Sequence, residues 1–286
     1  MGVKIGIVGF GEFSRSFLKL FLTHPDIELV AGAEFMPERR EEVRRKFGLE
    51  RVYETYEQML EAEPTLDSVA IFTQRHQHGP MVIKALELGK NVFSAVPLCC
   101  DVDEAFRIIE LVGKKRLIYM DAETCYYFPC AIWCREHFKT GQFGRFVYGE
   151  SQYYHDITEM FGSFAGSGGS EWKRIAGIPP MYYSTHSMSM MFLSIGERPV
   201  EVTCKEKNLM SSLGHGGSHP FLVDDFVRAV MTGKLPPNNV WDAAACMIPG
   251  VIAHESAMQG GKTLKIPEIG HAPEEWERID YSERKY

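Results

Sequence analysis

The sequence contains no apolar run approaching the roughly 20 residues that cross a bilayer, and no lysine/arginine run longer than a few positions. Both gaps argue against membrane or nucleic acid as the main partner. Cysteine is sparse: Cys99, Cys100, Cys125, Cys130, Cys134, Cys204 and Cys246 make an odd number with no CxxC spacing. That makes a disulfide framework and structural zinc both poor readings. No leader is expected either, since the strand-like "VKIGIVGF" begins at residue 3, before a charged and an apolar leader region would fit. The expectation is a cytoplasmic protein with reduced thiols. With 38 acidic and 31 basic residues the net charge is -7, ordinary for a soluble chain.

What is present is a change of pattern partway along. At 286 residues two domains are expected, here 1–123 and 124–286. In the first, "VKIGIVGF", "IELVAGAEF", "SVAIFT", "NVFSAV" and "RLIYMDAE" are nearly continuous apolar runs, as strands buried on both faces should be. Amphipathic stretches separate them, with Phe13, Phe17, Leu20 and Phe21 on one stripe. Such alternation predicts an α/β fold, a doubly wound parallel sheet covered by helices. The second part reads as α+β. It offers a helix "PCAIWCREHFKTG", a long strand "GRFVYGESQYYHD", a Gly/Ser loop from Gly162 to Ser170, a helix "THSMSMMFLSIG" and a strand "PVEVTCKE". Helices starting near Phe221 and Trp241, the segment "KTLKIP" and a polar tail complete it.

"GFGEFS", Gly9 to Ser14, leaves a strand and opens a helix. Gly9 permits a tight turn, Gly11 lets backbone approach a pyrophosphate, and the free N–H groups of the helix start, at Glu12 and Phe13, favour an anion. Glu34 ends the second strand, 23 residues after Gly11, where a carboxylate can accept from an adenosine ribose and repels a 2'-phosphate. This predicts NAD, with Arg39 and Arg40 near enough to leave NADP open.

At this point the residues resemble the Gfo/Idh/MocA (glucose-fructose oxidoreductase / inositol dehydrogenase) family. The likeness runs through "GIVGFGEFS", "ELVAGAEFMPERREEVRRKFG" and "DSVAIFTQRHQHGPMVIKALELGKNVFSAVPL", and later through "EHFKTGQFGRFVYGES" and "HESAMQGGKTLKIP". It implies a Rossmann domain holding NAD(P) and a second domain with an open, mostly antiparallel sheet. It also implies a sugar or polyol between them, a homodimer or homotetramer, and Thr73 and Pro97 beside the nicotinamide. Two departures stand out. The family's Glu-Lys-Pro is Ala95-Val96-Pro97, and its Thr-Pro-Asn is Thr73-Gln74-Arg75. The familiar lysine acid/base is therefore missing. The chain is also short between the strand ending near Lys207 and the helix from Phe221, so the second sheet should be small.

Oxidising an alcohol needs a base, and histidine or tyrosine can serve. "YYSTHS" offers Tyr183 and His186 on one face of a helical turn, and "QYYHD" offers Tyr153 and His155 on one side of a strand. His186 matches the histidine that the family pairs with its lysine, although Tyr182 stands where relatives place an aspartate. These Tyr/His pairs, with Val-Pro at the strand-five turn, resemble the NAD-dependent α-N-acetylgalactosaminidase branch, whose members oxidise, eliminate and re-reduce without net redox change.

His78 reads either as a cofactor or substrate neighbour or as a helix-start residue. Glu123 reads either as a ribose or substrate ligand or as a structural acceptor. Arg75, His76 and His78 lack a third metal ligand by spacing, so no metal site is expected. The Gly162–Ser170 loop with Trp172, Lys173 and Arg174 reads as a lid or as plain surface. Three functions stay open: an NAD(P)-dependent sugar, polyol or cyclitol oxidoreductase, a redox-neutral glycosidase or lyase, and a non-catalytic sensor of dinucleotide or sugar.

Overall fold

The computed structural model describes residues 2–153, 161–169, 172, 180–204 and 219–280. Its first half is a six-stranded sheet in the order β3-β2-β1-β4-β5-β6, every pair parallel. The strands are β1 (Val3–Val8), β2 (Ile27–Ala33), β3 (Val52–Tyr53), β4 (Ser68–Ile71), β5 (Asn91–Ser94) and β6 (Tyr119–Asp121). The chain starts at the middle and winds outward in both directions, so the strand order reverses at β1/β4. In such sheets ligands bind outside the carboxyl ends of the strands at that reversal. All four residues of β4 are buried, which explains its unbroken apolar sequence. The two-residue β3 is too short to show a period.

Helices α1 (Glu12–Thr23), α2 (Pro37–Phe47), α3 (Tyr56–Ala62), α4 (Arg75–Glu87) and α5 (Val102–Lys115) cover the sheet. Their ends obey local chemistry. Thr55 and Asp101 accept the Gln58 and Glu104 amide N–H groups at 3.1 and 3.0 Å, capping α3 and α5. Gly48, at φ +66°, closes α2 as helix-ending glycines do.

The second half supplies α6 (Pro129–Lys139), α7 (Phe161–Gly168), α8 (Thr185–Ile195), α9 (His219–Thr232) and α10 (Val240–Met258). Between α7 and α8 a short 3-10 turn, Pro180–Tyr183, carries Tyr183. The last two helices pack back onto the first sheet. Phe226 of α9 lies 5.4 Å from the Phe93 ring of β5, within a core shared with Phe17 and Ile7. Trp241, Ala244 and Ile248 of α10 share the opposite core with Val69 and Ile71.

Two expectations need correction. The Gly/Ser segment is not a loop: it forms α7 through Gly168, pinned where Gln74 donates to the Ser167 hydroxyl at 2.5 Å. Of the long strand expected over residues 144–156, the described part, through Tyr153, pairs with no strand among the described residues, and Val147 and Tyr148 stand 79% and 74% exposed; such a segment makes a strand only where a neighbour completes the ladder. His155 lies outside the described residues. The small second sheet is present as an antiparallel pair of β7 (Glu201–Val202) and β8 (Leu264–Lys265).

Gly250 lets two of these elements touch. A Cβ there would collide with the Met181 carbonyl and the Ser184 hydroxyl, so α10 lies directly against the backbone of the Tyr183 turn. Gly250→Ala is expected to destabilise the fold by about 1–3 kcal/mol through overpacking, lowering the midpoint of thermal unfolding by roughly 2–4 °C per kcal/mol. An unchanged midpoint would refute this contact.

Candidate active site

The turn after β1 is shaped for close approach. Gly9 adopts φ +86°, and a Cβ there would lie 2.8 Å from the Phe72 carbonyl oxygen, a position that suits glycine alone. Gly11 caps α1 with no side-chain bond to the helix start, leaving N–H donors for an anion. Ser14, at the third glycine position, is buried and donates to the Gly11 carbonyl at 2.9 Å, so its small side chain still lets α1 pack closely. Glu34 is buried at the end of β2; its carboxylate accepts the Phe10 N–H at 2.8 Å and the Met36 N–H at 3.0 Å. Arg40 donates instead to the Glu34 and Phe35 carbonyls at 2.7 and 2.9 Å.

These groups open on a cleft of about 570 Å³, whose lining includes Gly9, Gly11, Glu12, Phe13 and Glu34 on one side and Thr73, Arg75, His78, Val96 and Tyr183 on the other. The glycine cradle, the uncapped helix start and the strand-end acid fit a dinucleotide. Pro97 is not among the lining residues. Its carbonyl oxygen lies 2.8 Å from Nδ1 of His78, whose Nε2 lies 3.1 Å from the Thr73 carbonyl. His78 thus ties the turns after β4 and β5 together from beneath the cleft. Burial lowers its pKa against the opposing pull of both carbonyls, so the ring is neutral.

Behind Tyr183 lies a second group of residues. Nδ1 of His186 approaches Oε1 and Oε2 of Glu123 at 2.7 and 2.9 Å, with both side chains buried. A carboxylate only accepts, so Nδ1 carries the hydrogen. The Cys125 N–H donates to Glu123 Oε1 at 2.8 Å, and the Asn238 side chain donates to the Glu123 carbonyl at 3.1 Å. The His186 ring is flanked by Tyr153 at 4.3 Å and Tyr183 at 4.9 Å between centroids. Of these, Tyr183 reaches the cleft.

Burial pushes the Tyr183 phenol up to about 12, with nearby Arg75 pulling the other way. It keeps its proton at neutral pH and presents a donor. Glu123, Cys125 and His186 place one ligand atom each within 4.8 Å of one another, a grouping able to hold a metal ion that sequence spacing did not reveal; in this structure the carboxylate accepts from the imidazole.

The structure therefore brings Tyr153, Tyr183 and His186 together, and puts Glu123 behind His186 rather than in the cleft. Sequence reasoning missed that pairing, because two residues 63 apart in different elements have no common spacing signal. It also missed Phe164 and His219, which line the cleft. An aromatic residue within a glycine-rich stretch was the one hint of Phe164.

Residues 3–122 match the family described as "Oxidoreductase family, NAD-binding Rossmann fold", GFO_IDH_MocA. A glycosyl hydrolase family 109 protein of Saccharopolyspora erythraea is 25% identical over 70% of this chain and 47% of its own length. A scyllo-inositol 2-dehydrogenase (NAD(+)) of Bacillus subtilis is 26% identical over 77% of this chain and 59% of its own. The matched stretch thus spans about half the length of these curated relatives. A solved myo-inositol 2-dehydrogenase from Lactobacillus plantarum superposes with a TM-score of 0.75 at 18% identity, covering 93% of this chain and 100% of that one, which shows the shared fold.

Asp121, two residues before Glu123, yields a pH prediction. It is buried with Oδ2 unpartnered, and burial, then the Glu123 charge, raises its pKa well above 3.8. The folded state therefore holds a neutral acid, whose contribution is full below pH 3.8 and is lost as pH climbs toward the raised value. Asp121→Asn, which mimics the neutral acid, should match the wild type in thermal midpoint near pH 4 and exceed it increasingly toward pH 8. A gap that narrows with rising pH would contradict the assignment.

Proposed function

Because residues 3–122 belong to the Gfo/Idh/MocA family of oxidoreductases with an NAD-binding Rossmann fold, we propose that the protein is an NAD-dependent oxidoreductase acting on a hydroxyl of a sugar, polyol or cyclitol. The observation that carries the reading is the buried Glu123–His186 pair set against Tyr183 at the edge of a glycine-cradled cleft. Gly9, Gly11 and the start of α1 would hold the pyrophosphate, and Glu34 the adenosine ribose. NAD held there supplies the hydride acceptor. Glu34 favours NAD over NADP, since a 2'-phosphate would face its carboxylate, and Arg40 is committed to backbone carbonyls, while Arg39 also lines the cleft and leaves NADP open.

The chain's own residues would manage the proton. Tyr183, which lines the cleft, would donate to the reacting oxygen and orient it, while His186, buried behind it and held by Glu123, would be the terminal acceptor of the hydroxyl proton. As the ring becomes charged, the adjacent carboxylate stabilises it, as expected when a buried imidazolium gains a counter-ion. This arrangement requires no lysine at the strand-five turn, where Val96 is buried and apolar.

A second reading, redox-neutral elimination from a glycoside, is favoured by that same Val96 and by the family 109 relative. The two part on one readout: net oxidation accumulates NADH, whereas elimination with re-reduction does not.

The protein should bind NADH, detected as fluorescence enhancement on titration, and turn over at least one member of a polyol, cyclitol and glycoside panel. His186→Asn should lower turnover about 10²–10⁴-fold with little change in NADH affinity. Glu123→Gln should also lower it, because the ring loses its counter-charge. Absence of NADH binding would end this reading.

A further inference from the structure

Helix α7 touches the sheet on both sides of the glycine cradle. On one side the Gln74 amide, after β4, donates to the Ser167 hydroxyl at 2.5 Å, and the Arg75 guanidinium carbon stands 5.6 Å from the Phe164 ring centroid. On the other, a Cβ at Gly166 would lie 3.8 Å from the terminal methyl of Met36, after β2. Strand β1 sits between β2 and β4 in the sheet. A segment in contact with both outer turns therefore spans the carboxyl end of β1, where Gly9 and Gly11 form the cradle. Phe164 and Ser167 line the same cleft as those glycines, which makes α7 its roof.

That roof has little stability of its own. Eight residues are too few for a self-supporting helix, and three of them are Gly162, Gly166 and Gly168, the poorest helix former after proline. None of the described side chains of α7 is buried. A segment with so little buried apolar area opens at low free energy, so its place depends on its contacts with the two turns. Of these, the bond from Gln74 to Ser167 is the directional one. Gln74 caps α4 without a side-chain bond to that helix start, so its amide serves α7 instead, and the Ser167 hydroxyl donates onward to the Phe164 carbonyl at 3.5 Å.

Resting on the reading of the cradle as a dinucleotide site, we propose that α7 is a strap that closes over the pyrophosphate and gates cofactor exchange, with Gln74 and Ser167 as its latch. The dinucleotide enters and leaves while the latch is open and is retained while it is shut. Both latch groups belong to the protein, so weakening their bond favours the open form whether the site is filled or not. Such a gate sets rates rather than affinity, because entry and exit both wait for the same opening.

The test follows NADH fluorescence by stopped flow, on mixing with the protein and on displacement by excess NAD. Ser167→Ala should raise the association and dissociation rate constants together, each about fivefold, the scale of one hydrogen bond, with Kd held within about twofold. Gln74→Ala removes the latch from its other side and should do the same. The double variant should go no further than either single one, since all three lose one shared bond. Hydrogen exchange of the amides in residues 161–169 should quicken in each variant with NADH bound. Rate constants unchanged in both variants overturn the proposal. A rise in dissociation alone, with binding weakened in proportion, also overturns it, because α7 would then be a wall of the site and not its gate. Additive effects of the two substitutions would remove the latch. Failure of the wild type to bind NADH would sink the dinucleotide reading itself, whereas NADH binding at rates indifferent to both substitutions sinks this inference alone.

Discussion

The hydrogen bond between Glu123 and His186 joins the end of the first sheet to the helix after the Tyr183 turn, and both partners are buried. A carboxylate in such a place is tolerable only when paired and hydrogen-bonded. Here the Cys125 amide and the imidazole supply those bonds, and the Asn238 side chain secures the Glu123 backbone. Removing one member would leave the other charged or polar and unsatisfied, which typically costs about 3–5 kcal/mol. The same bond sets the orientation of the imidazole and holds α8 against the end of β6.

The glycine turn, helix α1 and Glu34 were legible because each depends on near neighbours: an apolar run, a helical stripe, a strand-end acid. Composition misled where long-range contacts decide. The Gly/Ser segment has poor helix propensity, yet Gln74 bonds to Ser167 from 93 residues away and Arg75 stacks on Phe164, which fixes α7 over the cleft. Around Phe146–Tyr153 the β-branched and aromatic residues suggested a strand, but a strand needs a second segment beside it, and local sequence displays only one. The pairing of Glu123 with His186 was hidden for the same reason: both residues were visible as candidates, and their meeting was not.

The cleft also shows how a departure from a family pattern can be read physically. Val96 at the strand-five turn offers neither a proton carrier nor a cation. Positive charge is found on the neighbouring turn as Arg75, while Ala95 and Val96 leave the strand-five turn apolar and buried.

His78 lies between two carbonyl oxygens at 2.8 and 3.1 Å, and its neutral ring has a single hydrogen to give. Pro97 and Thr73 therefore compete for one proton: whichever oxygen receives it, the other faces a ring lone pair at close range. The link between the two turns is thus frustrated, with two tautomers of nearly identical heavy-atom geometry. Whichever nitrogen carries the hydrogen, the heavy atoms stay in place, so the two turns keep one fixed separation although only one of the two contacts is a hydrogen bond.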